Sequence, residues 1–592
     1  MNDAPILRVL RDNAFLLVMI GVLILAVGKA VTMGFGMQEN FARMGNDDLM
    51  RLLTVRDWLA GQGWFDVVQY RLNPPEGVSI HWSRYIDAAI AAIIVPLSYF
   101  VPMDTAEQLA VAIYPTVILV LSILVIGFGT RRVFGTTAAC FSMLCFVIWP
   151  LTADLHSRVG NLDHHNVQLL MMILMAFAVV WPTRPTAAGI VGGLAAAFSL
   201  AIGLESLLYI VVVGLIILVR TPFTPNDNAR QFLGMFCAAL AGGSILLWLG
   251  QTAPDARFAP MCDQLGTPVL SLIAIAVAAC ILPIALGART SRPGAFIAVA
   301  AGATAVGLVL AWPLLANCID GPYGDLPGDV QRTIKTSITE AKPGIVYAMA
   351  NPAAAIVFAL PVFVAFFLGL AQWVQTRSTD KNAPALLQLL LICVFCIGML
   401  FVQMRTVIMA ASVVPMIGGY VIATLAGKYL KTRDLVQGAL ALTAATLIIA
   451  PKLVAQGFAA LLLGETTGNA EANQACSRHE SLVTLNEVPT GVILNHINYG
   501  PAVLVSTHHS VLSAPYHRSG AAFNNGFVPF RLEGPAFEDY VKEATATHIL
   551  LCMGMQYDSD FVTDLAGGGQ AEWLRRVPVS SESQVLFEVL RE

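Results

Sequence analysis

Charge is scarce in this sequence. Only 12% of its 592 residues are Asp, Glu, Lys or Arg, about half the share of a soluble globular protein, and the formal net charge is -4. Without basic runs there is no footprint for a polyanion, which excludes a nucleic-acid partner. Cysteine is sparse too, and ten in a chain this long exclude a disulfide scaffold. Six of them (Cys140, Cys145, Cys237, Cys280, Cys393 and Cys396) lie inside apolar runs, where they read as small core residues. The other four fall in polar segments: Cys262 with Cys318 and Cys476 with Cys552 could each form a disulfide, or all four could be free thiols. Internal repeats and low-complexity tracts are also missing.

Apolar residues are abundant instead, at 57%, and the mean hydropathy is +0.71. Runs near the length of a bilayer crossing lie at 14–35, 106–130, 133–151, 165–182, 185–203, 206–219, 232–250, 267–287, 294–315, 353–374, 384–402, 406–426 and 435–457. The reading is a polytopic α-helical membrane protein of about thirteen spans. The first run follows Arg8 and Arg11 and has no small-residue cleavage site, so it is expected to be an uncleaved anchor with a cytoplasmic N-terminus. Ala88 to Val101 is short for a crossing and suits an interfacial or re-entrant helix. Leaving it out puts Arg131, Arg132, Arg184, Arg220, Arg230, Arg289, Arg292, Arg377, Lys381, Lys428, Lys431 and Arg433 on the N-terminal side, in keeping with the positive-inside rule.

That parity places 36–105, 152–163, 316–352 and the tail outside. Two domains are expected: 1–463 in the membrane, and 464–592 as a small outer α/β domain. In the tail, Gly491 to Leu494, His548 to Cys552 and Val585 to Leu590 read as strands, and Phe537 to Ala544 reads as a helix.

The outer segments carry the chemistry. Asn46-Asp47-Asp48 opens a helical stretch with Asn46 as its expected cap and the aspartates in its first turn. The segment 152–163 and its edge read Arg158-Val159-Gly160-Asn161-Leu162-Asp163-His164-His165. Asp163 and His165 have the spacing from which one loop offers two ligands to a divalent cation, and His164 could serve as a base. Glu340 lies in the long loop as Thr339-Glu340 before Pro343. Arg405 sits between two apolar runs with almost no loop, where a cation either snorkels or meets an anion such as a lipid phosphate.

Taken in this order, the segments resemble the catalytic subunit of oligosaccharyltransferase, a membrane glycosyltransferase of the GT-C type that moves a glycan from a polyprenyl (pyro)phosphate onto asparagine. Asp47 with Arg56-Asp57, then Arg158, Gly160 and Asp163-x-His165, then Thr339-Glu340 with Pro343, and finally Arg405 are similar to that family's motifs. His165 stands where the family has an acidic residue, and His496-Ile497-Asn498-Tyr499-Gly500 is a partial counterpart of its Trp-Trp-Asp-Tyr-Gly signature.

The resemblance implies that Asp47, Asp163 and Glu340, with His165 as a possible fourth, bind Mg2+ or Mn2+. It further implies that Arg158 orients the acidic groups, that Arg405 binds the donor phosphate, and that His496, Asn498 and Tyr499 face the acceptor. The implied partners are membrane lipids, a polyprenyl-linked glycan donor, and a protein, glycolipid or polysaccharide acceptor. The implied setting is a bacterial inner membrane with the active site and C-terminus on the periplasmic side. Because His496, Ile497 and Asn498 replace the residues that read the sequon hydroxyl, a hydroxyl acceptor is expected rather than asparagine. The alternatives are a GT-C transferase using a monosaccharide phospholipid to modify a glycolipid or polysaccharide, and a lipid or solute transporter. The transporter fits less well, because the charges cluster in outer loops rather than at mid-membrane.

Overall fold

The computed structural model describes residues 13–34, 36, 40, 41, 43–181, 183–224, 227–319, 321, 328, 331, 332, 342–462 and 475–591. Among them, eight helices are long and apolar enough to cross a membrane: Ala14–Gly34, Met103–Phe134, Pro185–Ile202, Asp227–Gln251, Thr267–Ala285, Pro293–Cys318, Pro352–Thr376 and Ala383–Val402. Two further elements are bent pairs, Met404–Ala411 with Val414–Thr432 at 56° and Leu435–Ile449 with Pro451–Phe458 at 84°. Thr136–Ile148, His165–Val180 and Leu207–Phe223 are shorter apolar helices. Each apolar run of the sequence falls on one of these elements, and the chain is a multi-pass integral membrane protein. The sharper bend sits at Pro451, which cannot continue the preceding helix.

With apolar lipid around it, a bundle coheres through close backbone approach rather than through hydrophobicity. Pro185–Ile202 and Asp227–Gln251 show this. A Cβ at Gly189 would stand 2.7 Å from the Phe232 carbonyl oxygen, and one at Gly193 would stand 2.4 Å from that of Phe236. These glycines are four apart, so one helix face presents bare backbone to its neighbour.

Arg84–Ser98 fits the interfacial reading of 88–101: it is 15 residues long and buries Ile86, Asp87, Ile90 and Ile94 along one stripe. Arg51 Nη1 and Arg84 Nη1 each donate to one oxygen of the buried Asp87 at 3.0 Å. The first outer helix spans Asn46–Leu59. Its cap is Gly45 rather than Asn46, because the Asp48 carboxylate reaches back to accept the Gly45 N–H at 2.8 Å and draws Asn46 into the first turn.

Residues 475–591 hold a five-stranded mixed sheet in the order Ser510–Val511, Val492–Asn495, His548–Cys552, Gln584–Val589, Leu574–Val577. The first three strands are parallel and the last two pair antiparallel. Short helices such as Gly534–Glu543 accompany them, giving the expected α/β unit. The expected boundary at 463/464 lies outside the described residues. Both cysteine pairs left open by the sequence are disulfides, Cys262–Cys318 and Cys476–Cys552.

The outer segment is joined to this sheet by backbone. Asn73 N–H donates to the Val511 carbonyl at 2.7 Å, and Val511 N–H donates to that of Arg71 at 2.9 Å. Arg71 also donates to the carbonyls of Thr507 and His509 at 2.8 and 3.2 Å, and Arg56 to that of Val505 at 2.7 Å.

Overpacking typically costs about 1–3 kcal/mol, and Gly193→Leu is expected to lower the thermal unfolding midpoint in detergent by several degrees. Gly214→Ala, inside the Leu207–Arg220 helix where no heavy atom lies within 4 Å of the new Cβ, should leave it unlowered or raise it slightly. Fluorescence-monitored melting distinguishes the two.

Candidate functional site

The turn after Leu151–Leu155 builds the site. Gly160 has φ +97°, a conformation side chains avoid, and it turns the chain so that Asn161 to His164 run toward the Asn46–Leu59 helix. There the buried Asp48 accepts the backbone N–H groups of Leu162 and Asp163, both at 2.8 Å, in addition to that of Gly45. One carboxylate thereby fixes two outer segments against each other. Burial, followed by the nearby Asp163, pushes the Asp48 carboxyl up to about 7.

Asp163 is buried and faces two histidines. Its Oδ1 accepts the His164 N–H at 2.7 Å and lies 2.5 Å from His164 Nδ1, and its Oδ2 lies 3.5 Å from His165 Nε2. The other His164 nitrogen faces Glu205 Oε1 at 3.3 Å. Burial disfavours charge on all three groups, but their mutual attraction outweighs it. Asp163 and Glu205 are held well below the usual carboxylate range, and His164 is raised to about 10. His164 thus stands with one ring nitrogen facing each carboxylate, a setting that favours its protonated form.

Glu205 lies in a four-residue turn between helices and also accepts from Gln168 Nε2 at 2.9 Å. A Cβ at Gly203 would stand 2.3 Å from Glu205 Oε2 and 2.8 Å from His164 Nε2, so a larger residue there would displace the Glu205 carboxylate from His164. Sequence reasoning missed Glu205; an acidic residue between two apolar runs was the available signal.

Asp47 is exposed at the helix start. Beside it, Tyr516 of the C-terminal unit donates its hydroxyl to the Asn46 carbonyl at 3.1 Å. Burial, then Asp47 and Asp163, hold that hydroxyl well above the ordinary tyrosine value, so it remains a donor. Trp82 bridges the two sides, 5.6 Å from the Tyr516 ring and 6.2 Å from that of His164, with the Arg51 guanidinium 4.3 Å from its centre. Arg158 is half-buried, and its charge is among those acting on Asp48. Asp47, Asp163, His165 and Arg158 are thus brought to one end of the bundle.

Arg405 lies on the Met404–Thr406 turn and makes no ion pair among the described residues. Met404 N–H donates to the Lys342 carbonyl at 2.9 Å, which ties the end of the long loop to this turn. Glu340 lies outside the described residues. The Val407–Ala411 helix that follows packs on Leu151–Leu155. His496 sits in an aromatic box, with Tyr499 at 5.7 Å and Phe527 and Phe530 at 5.8 Å, and burial pulls its imidazole down to about 4. Tyr499 is buried with its hydroxyl 3.2 Å from Met555 Sδ, and Asn498 is exposed.

No protein-family model matches this chain, and no curated protein matches it by sequence. Among solved structures, the Archaeoglobus fulgidus oligosaccharyltransferase tethered to an acceptor peptide containing the NVT sequon is similar at a TM-score of 0.65. That comparison has 14% identity over 92% of this chain and 69% of that one. The chain has the fold of an archaeal oligosaccharyltransferase. The same enzyme, AglB, in complex with an inhibitory peptide and a dolichol-phosphate aligns at 0.62, with 14% identity, 92% of this chain and 70% of that one. Its complex with Zn and sulfate aligns at 0.58, with 14% identity, 90% of this chain and 68% of that one.

A raised carboxyl couples folding to pH. Between about pH 4 and 7 native Asp48 retains a proton that the unfolded chain releases, so this group makes the fold less stable as pH rises through that window. Asp48→Asn removes the titration. With divalent metal chelated, the melting-temperature difference between wild type and variant is expected to shift in the variant's favour from pH 5 to pH 8, and a difference that does not move with pH would refute the assignment.

Proposed function

We propose that this protein is a membrane glycosyltransferase that moves a sugar or oligosaccharide from a polyprenyl (pyro)phosphate donor to an acceptor at the face carrying the C-terminal unit. The observation that carries the reading is the convergence of Asp47, Asp163 and His165 at that face, in a chain with the oligosaccharyltransferase fold. A periplasmic position in a bacterial inner membrane belongs to the same reading.

The residues fit a divalent cation. Ligand atoms of Asp163 and the two histidines lie within 4.8 Å of one another, and two buried carboxylates, Asp48 and Asp163, crowd the same place. Because both His164 nitrogens face carboxylates, the free ligands are Asp163 Oδ2 and His165 Nε2, with Asp47 and Glu340 as further oxygen donors. Oxygen donors suit Mg2+ or Mn2+, and the imidazole of His165 favours Mn2+. When bound, such an ion neutralises negative charge developing on the leaving phosphate.

The chain's own groups do the rest. Arg405, which makes no ion pair among the described residues, offers its guanidinium to the donor phosphate, for which bidentate hydrogen bonding is strong. Tyr516 and the Asp48 clamp hold Asp47 and Asp163 in place. As the acceptor oxygen bonds to the anomeric carbon, the bond from that carbon to the donor phosphate oxygen breaks and the lipid (pyro)phosphate leaves, while the acceptor's proton passes to a carboxylate, to which we assign Asp47. His496, Ile497 and Asn498 supply neither an indole N–H nor a charged carboxylate for a sequon hydroxyl, and this supports transfer to a hydroxyl of a glycolipid, polysaccharide or protein Ser/Thr.

Asp47→Ala, Glu340→Ala and the near-isosteric Asp163→Asn are each expected to abolish turnover, with folded protein verified by its melting transition, and chelation should do the same; full activity in excess chelator would overturn the metal role. Arg405→Ala should raise the apparent KM for donor at least about tenfold, the scale of one lost charge-assisted contact, while lowering kcat less. For the acceptor, mass spectrometry of a deletion strain should show sugar missing from a glycolipid, polysaccharide or Ser/Thr site. Glycan on Asn of an Asn-x-Ser/Thr peptide would refute the hydroxyl reading.

A further inference from the structure

Beyond Trp82, a second cluster draws on three separate segments. His81 comes from the first outer segment, Asp263 from the turn carrying Cys262, and His517 from the C-terminal unit. One ligand atom from each lies within 4.8 Å of the others. His517 Nε2 is 3.0 Å from Asp263 Oδ2, and the His81 and His517 rings are 4.6 Å apart at their centres. Tetrahedral zinc with bonds of about 2.0–2.2 Å sets neighbouring ligand atoms roughly 3.3 Å apart. The His517–Asp263 separation is already close to that, and a small approach of the His81 ring completes a three-ligand set.

We propose that His81, Asp263 and His517 form a binding site for a borderline divalent transition metal, Zn2+ foremost, which staples the first outer segment, the 252–266 loop and the C-terminal unit together beside the reaction site. Arg518 supports the ligand set rather than competing for it. Its Nε and Nη2 donate to the two Asp263 oxygens at 2.7 and 2.8 Å, and each oxygen keeps a further lone pair, as metal-bound carboxylates do when outer partners orient them. Gln264 Oε1 at 3.0 Å and Ser79 Oγ at 3.2 Å hold the rest of the guanidinium, fixing its plane. The Cys262–Cys318 disulfide anchors the backbone next to Asp263.

The donor set decides which metal. Arg518 already matches the one carboxylate's charge, so Mg2+ and Ca2+, which need several oxygen ligands, gain little here. Two imidazoles instead favour zinc and its neighbours. This site is separate from the oxygen-rich one at Asp47 and Asp163, and the inference stands whether or not the transferase reading holds.

The test uses the full chain in detergent, stripped with chelator and titrated with Zn2+, and separately with Co2+ while the visible spectrum is followed. Asp163→Asn, which disrupts the other cluster, should still take up one tight equivalent and wild type at least that one, and the Co2+ form should show d–d bands without a thiolate charge-transfer band. His81→Gln and His517→Asn should each weaken that uptake at least about tenfold. Wild type that shows no saturable Zn2+ uptake would overturn the proposal, and this measurement depends on no variant folding. Unchanged affinity in both histidine variants would overturn it too, as would a thiolate band, which would place the metal on the free cysteines.

Discussion

The outer end of this protein depends on one buried carboxylate. Asp48 takes three backbone N–H groups, from Gly45, Leu162 and Asp163, two of them more than a hundred residues away in sequence. Backbone donors removed from water must find acceptors, and the tight turn after Gly160 points two of its own inward. A single side chain satisfies them while capping its own helix. The position of Asp163, and through it the two histidines, therefore follows from the geometry of a helix start.

The same constraint shapes the charge around it. Asp163 and Glu205 come from different loops, the first buried and the second half-buried, an arrangement that would be costly without a counter-charge. His164 stands between them with both ring nitrogens facing carboxylate oxygens. This leaves His165, half-buried at the edge, with a nitrogen directed toward the open oxygen of Asp163. Adjacent histidines in one tripeptide thus have different surroundings: one stands between two carboxylates, and the other lies at the edge beside Asp163 and Gln168.

The C-terminal unit is part of the site's frame. Its Ser510–Val511 edge exchanges backbone hydrogen bonds with Arg71 and Asn73, its Tyr516 hydroxyl reaches the Asn46 carbonyl, and its His517 and Arg518 hold Asp263. These links close around Trp82, whose ring lies between Tyr516 and His164.

Much of this was legible in the sequence. Apolar run length located the membrane elements because a bilayer sets the length of a helix, and the short apolar runs Gly491 to Leu494, His548 to Cys552 and Val585 to Leu590 located three strands because a strand buried on both faces reads as a continuous apolar segment. Asp163 and His165, two apart in one loop, do bring a carboxylate oxygen and a ring nitrogen to 3.5 Å of each other. What the sequence could not disclose was every pairing across segments. It did not show that Asp48 rather than Asp47 would be buried, that Glu205 would stand behind His164, or that His81, Asp263 and His517 would meet. Nor did it decide between free thiols and disulfides at Cys262–Cys318 and Cys476–Cys552. Local patterns encode which face of an element is apolar. Which charged groups face each other is decided only when the packed chain removes them from water and leaves each to find its partner.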